Sequence, residues 1–263
     1  MSVRSAILAS LAFGLAVAPM SRRASVSTKY RIDTKSQSTI DLSAFGQPAQ
    51  EQNVGLVTWV TVTLTDTTGG RVLHVVVDSL KYDGTVPIEQ ASLDSVKGGT
   101  LHGLLDAAGR VKNLSATPSG SLVLAQVVGV MNGFFPRMKA GVKAGDTWTD
   151  TSEVANTTGG ANTKIKVQTS YTAGGSEMVA GIRATKISSR YTSTVTGTME
   201  NPMSGTMEVE GTGTGTGSYY IGPDGRYLGG TSITNVDQKL KMAMAPAPIP
   251  VKTVQTLTVT LIP

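Results

Sequence analysis

The sequence contains no cysteine. That excludes disulfides, thiol catalysis and cysteine-ligated metal. Histidine is nearly absent too: His74 and His102 stand 28 residues apart, which is no metal-ligand spacing. His74 shares an alternating strand face with Val72 and Val76, so it reads as a packed, hydrogen-bonded histidine. There is no Gly-x-Ser-x-Gly elbow, no serine three residues before a lysine, and no Gly-Lys-Ser/Thr phosphate loop. Asp78, Asp83, Asp94 and Asp106 are spread over strands and loops, and nothing pairs them. The sequence therefore points to no catalytic residue, no metal ion and no cofactor, and it reads as a non-enzymatic protein. Charge is sparse at 16%, against a usual quarter. The basic residues form no stripe and are not interleaved with aromatics, which argues against nucleic-acid binding.

Long hydrophobic runs are equally scarce. One lies at the N-terminus, where Arg4 precedes an apolar stretch over residues 5–19. Its length suits a signal peptide and is short for a membrane span. Ala16-Val17-Ala18 has the small-x-small pattern, but Pro19 is a poor neighbour for cleavage. Cleavage near residues 24–27, retention as an anchor, or a buried N-terminal helix are the alternatives. Arg22 and Arg23 follow the apolar run, so it is no twin-arginine signal, and without cysteine there is no lipid-attachment site. Residues 1–27 are read as a signal peptide or N-terminal anchor, which implies a periplasmic, cell-surface or secreted protein. Losing Arg4, Arg22 and Arg23 leaves 20 basic residues against 18 acidic, a net charge of +2. With no further long apolar stretch, the mature chain is not expected to be an integral membrane protein.

The second run lies between Pro118 and Pro136 and organises the rest. Two prolines fence it, and Ser119 or Ser121 can cap its N-terminus. Its residues are apolar around most of the circumference, with Gln126 and Asn132 the clear exceptions. Such a helix, expected over 119–135, must be buried on most sides.

Threonine, valine and glycine dominate what is left, favouring strands and turns. Period-two alternation predicts strands over 28–42, 54–66 and 71–82, with a loop over 44–53. A short hairpin, 99–105 with 110–116, precedes the helix. Strands over 163–171, 177–187, 189–199, 211–221, 226–239 and 251–262 follow it. Thr67-Thr68-Gly69-Gly70 and Thr172-Ala173-Gly174-Gly175 both read as turns, and Gly109-Arg110 and Gly225-Arg226 both leave a turn. This suggests an internal duplication of residues 28–140 and 145–262, with an insertion near 199–210. Reuse of common β turns explains the same pattern equally well. Three prolines between residues 246 and 250 predict extended, polyproline-like backbone before the last strand, which is expected to pair back into the sheet rather than lie at an edge.

Gly211 to Gly217 alternates glycine with threonine. In a strand, such a strip lets a helix or a ligand approach closely; the helix between the prolines is the natural candidate, a ligand-facing groove or a flexible segment the alternatives. After the helix comes Gly145-Asp146-Thr147-Trp148, read as a turn followed by a tryptophan that starts a strand and seals one end of the core. With Phe135-Pro136, Val142, the tyrosine-led first strand at Tyr30 and the Gly-Arg hairpin, this motif resembles a group of bacterial exported proteins of unknown function. The resemblance spans most of 28–262 and implies a β-rich envelope protein with no catalytic residue to transfer. By architecture alone the chain is similar to periplasmic lipoprotein carriers, in which a half-barrel sheet cups a helix and an apolar cavity, although it lacks the anchoring cysteine of related lipoproteins.

The expectation is a mainly β domain over 28–263. It would be a curved antiparallel sheet, open or half-barrel, made of two similar halves around one apolar helix. It would hold a lipid or other apolar small molecule between helix and sheet, with Val127, Met131, Phe134 and Phe135 as lining residues. The alternative is an assembly role, in which a strand edge pairs with an envelope protein.

Overall fold

The computed structural model describes residues 25–85, 88, 90–156, 161–201, 205–242 and 247–262. The apolar run over 5–19 lies outside these residues, as does part of the proline-rich stretch, 243–246.

Alternating aliphatic and hydroxyl residues build eleven strands into one antiparallel sheet. The strands are β1 (Ser25–Ile40), β2 (Gln50–Thr67), β3 (Gly70–Gly84), β4 (Thr100–Leu105), β5 (Val111–Thr117), β6 (Thr147–Asn156), β7 (Ala161–Val179), β8 (Ile182–Asn201), β9 (Gly205–Ile221), β10 (Tyr227–Met242) and β11 (Ile249–Ile262). Their spatial order is β5-β4-β3-β2-β1-β11-β10-β9-β8-β7-β6. Two meanders therefore run outward from a central pair, in which Ile32 lies opposite Val259. The last strand pairs on both sides, with β1 and β10, and has no free edge.

Several expected boundaries move. The loop expected over 44–53 is shorter, because Ile40 already pairs with Gln50. Strand β1 begins at Ser25, inside the stretch assigned to the signal or anchor, and pairs there with Thr65. Thr172-Ala173-Gly174-Gly175 is not a turn. Strand β7 runs through it with a bulge between Ala173 and Ser176, and the chain reverses later, at Ala180 and Gly181. The two glycines supply the extra residues a bulge needs without any steric cost. The residues around 199–210 belong to the ends of β8 and β9, which pair out to Asn201 and Gly205. The Gly-Arg turns do match each other. Asp106 N–H donates to Arg110 O and Gly222 N–H to Arg226 O, and Gly109 and Gly225 both adopt left-handed backbone, at φ 79° and 76°.

Helix α1 (Gln90–Asp94) lies against β3, and α2 (Leu122–Asn132) packs on β5. The Ser121 hydroxyl accepts from Leu124 N–H and caps α2. The helix is shorter than the expected 119–135. Residues 119–121 form the approach and cap, and the chain leaves the helix at Gly133.

If flat, eleven strands about 4.8 Å apart would separate the two edges by about 48 Å. Yet Arg110, at the entrance to β5, reaches Asp150 of β6 at 2.6 Å. The sheet is therefore rolled at this end, although it does not close, since β5 and β6 are both edges. The segment after α2 crosses from one edge to the other. Along it, Arg137 donates to Gly109 O at 2.7 Å and lies 3.5 Å from Asp150. Trp148 Nε1–H donates to Arg137 O, and its ring stacks on Tyr171 at 5.3 Å. The Gly-Asp-x-Trp stretch thus anchors one end of the core, as its residue types suggested.

Candidate functional site

The main core fills the rolled end. Phe134 is 1% exposed and meets Tyr30 and Tyr227 edge-on, both at 5.2 Å. Val127, Met131 and Phe135 are buried in the same cluster with Leu73, Val75 and Leu101. The four helix residues expected to line a ligand therefore lie together within side-chain packing, and α2 fills this end of the cup. Tyr30 donates its hydroxyl to Tyr227 O at 2.7 Å. Burial pushes the Tyr30 phenol up to about 12, and it raises the Tyr227 phenol well above its ordinary value. These groups stay neutral at any physiological pH and serve packing rather than acid–base chemistry.

Above the helix the walls differ in height. Strands β4 and β5 have 6 and 7 residues, whereas β8 and β9 have 20 and 17. Neither helix packs on the tall wall as α2 does on β5. Because strand faces alternate, the inner face of that wall can be followed from core residues. Ile187 leads to Ser189, Tyr191, Ser193 and Val195, and Tyr219 to the glycines and Val209. Val259 leads to Val251 and Ile249. Val195, Val209 and Ile249 are buried, and Val236, Leu240 and Val251 half-buried. They form an aliphatic band interleaved with small hydroxyl residues. The sequence offered one clue to this band, the even alternation of Val and Leu with Thr and Ser. It did not reveal which end of the strands the helix would cover.

The glycine strip lies on this inner face, but α2 does not close on it. Tyr191 of β8 crosses Gly215 and hydrogen-bonds the Thr234 hydroxyl of β10. A side chain at Gly215 would meet the Tyr191 ring and would lie 2.6 Å from Ile233 O. Tyr219 lies similarly against Gly217. Neighbouring tyrosines supply the cover that the glycines lack.

On the opposite face of the same strands are two shallow depressions of about 400 and 510 Å³. They share Arg190 and Thr216, and otherwise present mainly hydroxyls such as Ser170, Ser188, Thr214 and Ser218. Among the described residues no three of the His, Asp and Glu side chains gather as a metal site would need. Asp106 is occupied structurally. Burial acts to raise its carboxyl, but the Arg110 backbone N–H and the Lys112 amine outweigh this and hold it below the usual range. No described helix is long and apolar enough to cross a membrane.

No protein-family model and no curated protein matches the chain. Among solved structures it is similar to lipovitellin, in a structure concerned with lipid–protein interactions, at 14% identity and a TM-score of 0.48. That match covers 90% of this chain and spans a quarter, 25%, of the lipovitellin chain. A second likeness is to Pseudomonas aeruginosa OccK2 (OpdF), solved with glucuronate. Its identity is 5% and its TM-score 0.26, and it covers 90% of this chain and 98% of that one.

Proposed function

We propose that this chain is an exported, non-enzymatic binding protein of the bacterial envelope, and that it holds a lipid-like ligand against the inner face of its tall wall. The observation that carries this reading is the aliphatic band of Val195, Val209, Val236, Leu240 and Ile249, which stands above α2 where the facing wall of β4 and β5 is short. An extended acyl chain fits such a band, since aliphatic side chains give non-directional attraction and the intervening hydroxyls can meet a polar headgroup. The packed helix, with Val127 and Met131, and the Phe134-Phe135 pair that follows it form the core beneath this band. The export reading rests on residues 1–27. The sequence carries no nucleophile–base signature, which fits a non-enzymatic role. Titration with a fluorescent fatty acid tests the proposal. The wild-type chain should bind it saturably, and Val236→Asp, at a half-buried position of the band, should abolish binding while leaving the fold intact by circular dichroism. Equal binding by both would remove the cleft as the site.

A second reading is favoured by one feature, the outer edge of β6, which has no strand beyond it among the described residues. An envelope partner could add a strand there. Crosslinking from Ser152 in the native envelope would then capture one defined protein, and a bare monomer would count against this reading.

A further inference from the structure

We propose that His74 and His102 form a two-histidine binding site for one late transition-metal dication such as Zn²⁺ or Ni²⁺, on the outer face of the β3–β4 pair. These are the chain's only histidines, and the sheet register places them directly opposite each other. Directly opposed residues on antiparallel strands carry their Cβ atoms about 4.5–5.5 Å apart, within the span that one ion can bridge between two imidazoles. Here the rings lie 4.5 Å apart, centroid to centroid, with planes 25° apart. Turning both about the Cβ–Cγ bond brings a nitrogen of each toward a common point on the exposed side, where His102 is open to solvent and His74 half-buried.

The surroundings suit this chemistry. Each histidine faces a small hydroxyl residue on the strand beyond, Thr63 opposite His74 and Ser115 opposite His102. Along β3 the flanking residues are Val72 and Val76. The nearest carboxylate further along that face, Asp78, accepts from Thr61 at 2.8 Å. Imidazole pairs select Zn²⁺, Ni²⁺ and Cu²⁺ over the oxygen-seeking Mg²⁺ and Ca²⁺. Since no third side chain joins the pair among the described residues, water fills the other coordination positions, and the ion stays open to an additional ligand.

The test uses the full chain produced without a polyhistidine tag. Isothermal titration with ZnCl₂ should give one ion per chain, with no comparable uptake of MgCl₂. The two histidine C2–H resonances should shift together and saturate at the same equivalence. His102→Ala and His74→Asn should each weaken binding by about tenfold or more, since even the loss of a group that only orients a ligand costs 10–100-fold. The proposal is overturned if neither resonance responds, if only one does, or if either variant binds Zn²⁺ as tightly as the wild type.

Discussion

Gly215 has no room for a side chain, because the Tyr191 ring crosses it and the Ile233 carbonyl stands behind it. Gly215→Val should therefore destabilise the protein by about 1–3 kcal/mol, the usual cost of overpacking, as read from the shift of a urea unfolding midpoint. Tyr191→Ala in the same background should recover part of that loss, since it removes the clash. His74 makes a second residue-scale prediction. Its folded-state pKa is lowered, so the unfolded chain binds protons more readily than the folded one. The stability contributed is present above the unfolded value of about 6.5 and is lost as pH falls through the folded value. In a proton NMR titration, His74 should have its midpoint below that ordinary value, and His102→Ala should move it upward. The pairing of these two residues could not be read from the sequence. It depends on how β3 registers against β4, and that register is fixed by the tertiary sheet rather than by the 27 residues between them.

At the scale of elements, α2 carries the most. Just after it, Phe134 is enclosed by Tyr30, Phe135 and Tyr227. Phe134→Ala should cost about 3–5 kcal/mol, whereas Ser121→Ala, which removes only a cap, should cost about 1 kcal/mol; both are measurable by denaturant unfolding. The existence of α2, its flanking prolines and its burial were legible because a helix apolar all round has no solvent-facing side. The same apolarity does not distinguish a packed core from a ligand lining, so Val127 and Met131 could not be sorted from sequence. The Gly-Arg turns were legible from their own residues, since each needs a glycine in left-handed backbone. Thr172 to Gly175 misled for the same chemical reason, as paired glycines suit a bulge as well as a turn. What closes a long strand is its partner, which a local window does not contain.

At the scale of the molecule, one carboxylate holds the rolled end together. Asp150 takes Arg110 from the opposite edge and Arg137 from the crossing segment. Asp150→Asn should leave the strands intact but increase amide exchange along β6 and in the 105–110 turn, with a stability loss of about 1–2 kcal/mol. The buried phenols set the alkaline limit. Burial raises Tyr30 and Tyr171 to about 12, above an unfolded value near 10. Their contribution is thus fully present below about pH 10 and is lost as pH climbs toward about 12, so unfolding and tyrosinate absorbance should rise together in that window. The central claim is that the inner face of β8–β11 carries a lipid-like ligand, and it stands above a helix that already fills the core. Native mass spectrometry of the protein purified from its own envelope tests it most directly. The account predicts a reproducible added mass that organic extraction removes and that Val236→Asp prevents from forming. A bare chain mass in the wild type, from gentle purification, would contradict it.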